Sequence, residues 1–326
     1  MKKVIRMMCL AVVIGLGSAA LADNFGTGGN QFTIDFVTIS GDTNPTSGYG
    51  IVSNDYRMGV HEITNDQWNK FKAELGVSVT GIPSIAYDEG PYWTGDNVPT
   101  NVVSWYEAAQ MVNWLNTSTG RHAAYNFTGT QGQSNYTYTI WSAAEADGGT
   151  NLYRHKDAFY YIPTEDEWVK AAYWNGTELQ TYATKDNTLP GAWTPAGGPN
   201  LDGQAAGWNY GYAYPDNSTS TDQPWDVTAG YSPEELNGTY DMMGNIFELT
   251  ESPRDNPSYG VGAGHLLRGG SFRDYASTLT SSDQNAFLWP PSEGDRFGFR
   301  VASVPEPASM AILALGGLAM LRRRRT

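Results

Sequence analysis

Side chains that could carry out catalysis are scattered along this 326-residue chain and form no compact constellation. None of the four histidines lies three or four residues from another, the spacing that places two zinc ligands on one face of a helix. No Gly-x-Ser-x-Gly turn, which would expose a serine nucleophile, occurs after the first 22 residues. A metal site built from distant histidines stays open, and the candidates are His61, His122, His155 and His265.

Acidic and aromatic side chains point to a different chemistry, directed at sugars. Glu165 and Glu167 form an acid pair of the kind that acts on glycosidic bonds, although the first turn of a helix explains them equally well. Aromatic rings in one loop-rich stretch can stack on sugar rings or be buried in a core. These aromatic residues are Trp193, Trp208, Tyr210, Tyr212 and Tyr214.

Three helices are predicted from the residues that begin them. In a capping box, a Ser or Thr and a Glu or Gln three residues later satisfy the free amides of the first turn. The pattern predicts helices over 105–116 and 165–174, and a third that begins after Thr64 and buries Trp68, Phe71 and Leu75. The capping pairs are Thr64 with Gln67, Ser104 with Glu107, and Thr164 with Glu167.

Strand signals are shorter than the helix signals. Apolar residues alternate over 32–36, and the segments 56–60 and 296–301 also favour strands. Residues 121–158 are polar and Gly-rich, which indicates an insertion or a long surface excursion. We therefore expect one irregular, loop-rich α+β domain whose aromatic residues pack the loops.

The N-terminal segment has the layout of an export signal. A basic start is followed by the apolar run 7–16 and by the small residues Ala20 and Ala22, which signal peptidase accepts. We expect cleavage after Ala22, so that residues 1–22 are the signal peptide and the mature domain covers 23–303. The only cysteine, Cys9, lies in this signal.

The C-terminal segment, 304–326, combines a short motif, an apolar stretch and a basic end. The stretch 308–321 would rise only about 21 Å as a helix, less than the roughly 30 Å of a bilayer core. The order resembles the PEP-CTERM sorting signal of Gram-negative bacteria, which implies cleavage by a membrane-embedded exosortase and then release or surface attachment. An ordinary tail anchor is the alternative. The motif residues are Val304, Pro305, Glu306 and Pro307.

The charge of the chain restricts its partners. The formal net charge is −14, and because the two terminal segments hold seven basic residues and one acidic residue, the charge between them is near −20. Such a surface repels nucleic acid and anionic lipid and favours divalent cations. A nucleic-acid-binding role is therefore not expected.

Six ordered motifs between residues 30 and 303 resemble one family, that of the formylglycine-generating, or sulfatase-modifying, enzymes. This resemblance implies an elaborated C-type lectin-like fold. The motifs are Val60-His61-Glu62-Ile63-Thr64-Asn65, Val102 to Ala109, Ile162-Pro163-Thr164-Glu165-Asp166-Glu167-Trp168, Gly238 to Glu248, Leu267-Arg268-Gly269-Gly270-Ser271-Phe272, and Phe297-Gly298-Phe299-Arg300.

The resemblance also shows which positions of this chain correspond to the residues that the family's oxidase activity requires. Catalytic members oxidise a substrate cysteine with copper held by two cysteines, and the matching positions here are Asp274 and Leu279. Cu(I) prefers sulfur ligands, which these two side chains do not provide. We therefore expect no bound copper and no formylglycine-generating activity.

The family's calcium positions retain oxygen ligands in this chain. The resemblance implies one calcium held by the carboxylates of Asp241 and Glu248 and the carbonyls of Gly244 and Ile246, a ligand type that suits this hard cation. The alternative is that Asp241 and Glu248 cap a turn or pair with Arg268, Arg273 or Arg300. A second implied calcium site uses Asn200, Leu201, Asp216 and Ser218.

These observations favour an exported surface protein with a non-catalytic, calcium-supported binding or structural domain. Its expected partners are the two processing peptidases and a surface glycan, an exopolysaccharide or another protein. The alternative is an enzyme of altered, copper-independent chemistry in the same cleft. A polar cleft around Arg273 and Asp274 would favour that enzyme, and a cleft filled by Phe272, Tyr275 and Leu279 would favour binding.

Overall fold

The computed structural model describes residues 21–77, 79, 90–131, 133, 135–189, 224–228, 233–256, 260–274, 276–284 and 286–305. The side chains of 255–263 are outside this description. Most of the export signal, the sorting tail after Pro305, the second implied calcium site and the aromatic loop residues of 193–214 also lie outside it.

All three predicted helices are present, and each begins with the predicted capping box. Helix α1 ends at Gly76, whose φ of 69° is the left-handed conformation that glycine adopts without strain. Helix α2 continues two residues further than predicted because its C-terminal polar side chains bond back to the preceding turn. The helices are α1, Asn65–Leu75; α2, Trp105–Ser118; and α3, Glu165–Tyr173.

Two sheets form the framework of the domain. The larger is antiparallel, with strand order β1-β2-β3-β13-β8, and the smaller has the order β11-β10-β9-β12, with β12 parallel to β9. The strands of the larger sheet are β1, Leu21–Phe25; β2, Phe32–Ile39; β3, Tyr56–Gly59; β8, Tyr160–Tyr161; and β13, Ala302–Ser303. Those of the smaller sheet are β9, Phe247–Asn256; β10, Gly260–Arg268; β11, Phe287–Leu288; and β12, Phe297–Gly298.

Residues 121–158 contain two small hairpins, and the described side chains between 126 and 153 are exposed or half-buried except Ala146, as a surface excursion predicts. Tyr125 and Arg154 of this segment are buried, and the Tyr125 hydroxyl donates to Glu251 Oε2 at 2.8 Å. The hairpins therefore contribute to the core. Their strands are β4, Asn126–Thr128; β5, Thr137–Thr139; β6, Ala146–Asp147; and β7, Asn151–His155.

The predicted strand over 296–301 is split. Residues 297–298 form β12, the next three residues leave the sheet, and β13 follows at Ala302. Phe299, Arg300 and Val301 are all buried, so the segment lacks the alternation of a strand with one exposed face. It instead makes single hydrogen bonds to the end of β3 and to the segment beyond it, where Gly59 N donates to Val301 O and Ile63 N donates to Phe299 O.

The core has two apolar clusters. One is centred on α1, α2 and Trp105, and the other packs α3 and Trp168 against the larger sheet. His265 stacks on Trp105 with ring centroids 4.1 Å apart. Because burial lowers the pKa of His265 to about 3, its imidazole is neutral and packs as part of the core. Within the described part of the chain, no helix combines the length and apolar character needed to cross a membrane.

Candidate functional site

Glu248 and Arg300 form the centre of a buried acidic cluster. Both side chains are fully buried, and Arg300 Nη2 and Nε donate to Glu248 Oε1 and Oε2 at 2.5 and 2.6 Å. Trp168 Nε1 donates to Oε2 at 2.8 Å. Glu248 therefore pairs with Arg300, one of the three arginines that the sequence analysis named as possible partners. Charge-assisted, bidentate pairs of this kind are the strongest hydrogen bonds in proteins.

Three further acids surround this ion pair. Glu62 is 1% exposed, and neither of its carboxylate oxygens has a hydrogen-bond partner. Glu235 Oε2 accepts from Met242 N at 3.1 Å, whereas its Oε1 has no partner. Asp241 is 5% exposed and lies close enough to raise the pKa of both glutamates. Four buried carboxyl groups thus surround one guanidinium.

Burial is the main cause of the pKa shifts in this cluster. It raises the pKa of Glu62 well above its ordinary value, and repulsion from Asp241 raises it further. Burial and Asp241 likewise raise the pKa of Glu235 to about 8. Neither glutamate was a candidate from the sequence, because each comes from a separate segment. The pattern of buried acids around Arg300 appears only in the fold.

The turn that carries the predicted calcium ligands is strained. Asp241 and Asn245 both have a φ of 57°, which is uncommon for side chains other than glycine, and Gly244 has a φ of 87°. Gly244 N donates to Gly269 O at 2.8 Å, which fixes the turn against the Gly-Gly-Ser motif. The turn is thus held in one conformation at the edge of the acidic cluster.

The residues of this turn fit a divalent cation in donor type and charge. Glu248 Oε1 accepts only from Arg300, so one lone pair remains, and both carboxyl oxygens of Glu62 and one of Glu235 lie nearby without a hydrogen-bond partner. Among the described residues, no three Asp, Glu, His or Cys side chains converge on one point as metal ligands would. A calcium ion here would therefore be held by Asp241 and Glu248 with backbone carbonyls, as the resemblance implies.

The two positions that match the family's copper cysteines are a buried apolar side chain and a hydrogen-bonded carboxylate in this fold. Leu279 is fully buried in the cluster around Trp168, at the end of a short 3₁₀ helix. Asp274 Oδ2 accepts a short hydrogen bond from Ser271 Oγ and lies 3.8 Å from Arg296 Nη1. Burial is also the main cause that raises the pKa of Asp274. Leu279 thus packs in the core, and the Asp274 carboxylate takes part in polar contacts.

A cleft of about 760 Å³ is lined in part by Arg273, the residue before Asp274. Its walls come from the segments around 90–102 and 289–295, which are distant in sequence. Arg273 Nη1 pairs with Asp295 Oδ2 at 3.0 Å across one wall. Tyr92 and Trp289 expose 65% and 39% of their surface there, so flat aromatic faces are available to a ligand. The sequence did not indicate these two aromatic residues, because the segments that carry them come together only in the folded domain.

Two contacts fix the segments that line the cleft. Val102 has a φ of 56°, a strained value for a β-branched residue, and its N–H donates to Gly294 O at 3.0 Å. Glu107 caps α2 and also forms a carboxyl–carboxyl hydrogen bond with Glu293 in the cleft wall. Burial, followed by repulsion from Glu293, raises the pKa of Glu107 to about 9.

The remaining chemical candidates from the sequence have structural partners. Glu165 pairs with Arg268, and Glu167 accepts two hydrogen bonds from Arg154 at 3.0 and 2.8 Å. Both acids of this pair are therefore engaged in buried ion pairs at the start of α3. His122 and His155 stack with ring centroids 3.6 Å apart, a contact that their sequence separation did not indicate.

Comparison with known proteins agrees with this architecture. Residues 11–304 match the model of the sulfatase-modifying factor enzyme 1-like domain, and residues 303–325 match the PEP-CTERM protein-sorting motif. Treponema denticola variable protein 1 has a similar fold, with a TM-score of 0.56 and 19% identity over 87% of this chain and 99% of that one. The crystal structure of CarF is similar, with a TM-score of 0.56 and 20% identity over 84% and 99%. No curated protein matches significantly.

Proposed function

The chain belongs to the sulfatase-modifying factor enzyme 1-like family and carries a PEP-CTERM sorting motif, and from this premise we propose that it is a non-catalytic binding protein of the cell surface. The sorting motif indicates export and processing by an exosortase-type enzyme. The proposal adds signal cleavage after Ala22, transient attachment to the membrane, and a calcium-supported domain whose cleft binds a neutral glycan.

The observation that carries this proposal is the state of the two copper positions. The fully buried Leu279 and the hydrogen-bonded Asp274 leave no thiolate, while Arg273, next to Asp274 in sequence, lines an open cleft. Such a cleft can bind a ligand through exposed aromatic rings and polar groups, and these are provided by Tyr92, Trp289 and Arg273. The acidic surface disfavours polyanions, and a neutral exopolysaccharide therefore fits best.

The expected affinity loss on removing a cleft aromatic tests the glycan proposal. Trp289→Ala is expected to weaken binding of neutral polysaccharide by about tenfold or more, since buried aromatic anchors dominate such interfaces. Tyr92→Ala should have a similar effect. Affinity electrophoresis in gels that contain a neutral glucan, or alginate as the anionic comparison, measures both.

Tyr49 provides the matched control, because its exposure of 38% is close to the 39% of Trp289 but it does not line the cleft. Tyr49→Ala should retain full binding. Equal retardation of all three variants, or tighter binding to alginate than to neutral glucan, would contradict the proposed site and ligand.

The absence of sulfur ligands predicts that the protein does not generate formylglycine. A cysteine-containing substrate peptide incubated with the purified protein and Cu(I) should keep its mass, whereas a catalytic family member should convert it. Copper-dependent conversion by this chain would refute the non-catalytic assignment.

A second candidate function, an enzyme of altered chemistry, is favoured by two observations. The cleft is polar where Arg273 and Asp295 line it, the outcome that the sequence analysis associated with an enzyme, and Glu293 in its wall is hydrogen-bonded to Glu107. Carboxyl groups that bond directly to each other do not flank a sugar, and glycosidase acids usually stand about 5–10 Å apart. Release of reducing sugar from the same glucan, abolished by Glu293→Gln, would establish this alternative.

A further inference from the structure

One buried arginine contacts both ends of the mature domain. Arg57 in β3 is 1% exposed, and its Nη1 and Nη2 donate to Asp23 Oδ1 and Oδ2 at 3.1 and 2.6 Å. Its Nε donates to Ser303 Oγ at 2.9 Å and to Val304 O at 3.3 Å. Residues 23 and 304 are therefore held within the width of one guanidinium group.

The sheet explains how residues so distant in sequence meet. Arg57 lies over the ring of Phe36 in β2, with its guanidinium carbon 4.7 Å from the ring centroid, and so reaches past β2 to β1. The other neighbour of β3 is β13, where Ser303 is paired with Arg57. Asp23 Oδ2 also accepts from Tyr160 Oη at 2.8 Å, which fixes the carboxylate from the opposite side. These contacts compensate the burial of the arginine charge.

Both ends are also processing junctions. The proposed cleavage after Ala22 would make Asp23 the first residue of the mature chain, and the match to the sorting motif begins at residue 303. We propose that Arg57 is a clamp that closes both junctions at one point, so that the signal peptide and the sorting tail leave the domain side by side toward the same bilayer. The proposal rests on the export described above.

The clamp also places the C-terminal cut. Val304 N donates to Phe159 O at 2.9 Å and Val304 O accepts from Arg57, so both backbone groups of this residue are held by the domain. Ala302 and Ser303 lie in β13, between β3 and β8, and are fully buried. A peptidase needs an accessible, extended backbone, and the sorting cut therefore falls after Val304.

Limited proteolysis of the folded full-length chain tests the clamp without depending on export or on glycan binding. Proteinase K should leave a core that begins near residue 23 and ends at or after residue 304, as read from intact mass. Arg57→Gln should be trimmed inward at both ends. Arg254→Gln, at a half-buried arginine that bonds to Gln284 O, is the matched control and should behave as wild type.

The decisive result is coupling between the two ends, which milder variants measure if Arg57→Gln does not fold. Asp23→Asn should speed trimming at the C-terminal end, and Ser303→Ala should speed loss of N-terminal residues, each by about tenfold, the scale of a lost charged hydrogen bond. Wild-type cuts before Val304, or variants that affect only their own end, would overturn the proposal.

Discussion

Arg300→Gln is expected to lower the free energy of unfolding by about 3–5 kcal/mol, the usual cost of removing one partner from a buried ion pair. The substitution leaves Glu248 fully buried without its counter-charge, beside Glu62, Glu235 and Asp241. It also removes donors to the carbonyls of Gly59, Val60 and Tyr240, which connect β3 to the strained turn. Urea denaturation at pH 7 measures the loss.

Arg273→Gln is the matched control for this prediction. Its ion pair with Asp295 is 39% and 29% exposed, so losing it should cost no more than about 1 kcal/mol. The deficit of Arg300→Gln should shrink at pH 5, because protonated carboxyl groups need no counter-charge. A loss below 1 kcal/mol for Arg300→Gln, or one independent of pH, would show that the buried acids are not held by this arginine.

Local signals in the sequence predicted the helices well. Each capping box acts within four residues, so Thr64, Ser104 and Thr164 mark helix starts without reference to the rest of the fold. The alternation of Phe32, Ile34 and Phe36 predicted β2 for the same reason, since one face of that strand is buried. The family motifs added the order of these elements.

Signals that depend on distant partners were not available from the sequence. Arg300 lies in a segment that resembles a strand, yet its charge must be buried against Glu248, which is 52 residues away, and this contact interrupts the strand. Glu62 and Glu235 look like ordinary surface acids until the fold brings them to the same arginine. The cleft aromatics Tyr92 and Trp289 likewise become neighbours only when two loops meet.

The raised pKa values in the acidic cluster predict that the folded state becomes less stable as the pH rises. The pKa of Glu235 is about 8 in the folded state and near 4.5 when unfolded. Between these values the unfolded chain binds fewer protons than the folded chain, so stability falls as pH rises, by up to roughly 1.4 kcal/mol per pH unit. The raised pKa of Glu62 acts in the same sense.

Neutral substitutions should therefore stabilise the metal-free protein. In EDTA, Glu235→Gln and Glu62→Gln are expected to raise the melting temperature at pH 8 and to change it little at pH 4.5. Glu234→Gln, at an exposed acid that pairs with Lys185, is the control and should show neither effect. Destabilisation by both cluster variants at pH 8 would mean that these side chains are needed as charges.

Calcium should reverse this pattern, because a divalent ion compensates the charge that otherwise favours protons. At one hundred times its dissociation constant, an ion that binds only the folded state adds about 2.7 kcal/mol. We expect millimolar calcium to raise the melting temperature of the wild type at pH 8, Asp241→Asn to abolish the rise, and copper to have no effect. The advantage of Glu62→Gln should shrink under calcium, since the ion and the substitution remove the same repulsion. The calcium site would be refuted if calcium did not raise the melting temperature, or if Asp241→Asn kept the rise. Protonation would then be the only way in which the charge of these buried acids is neutralised.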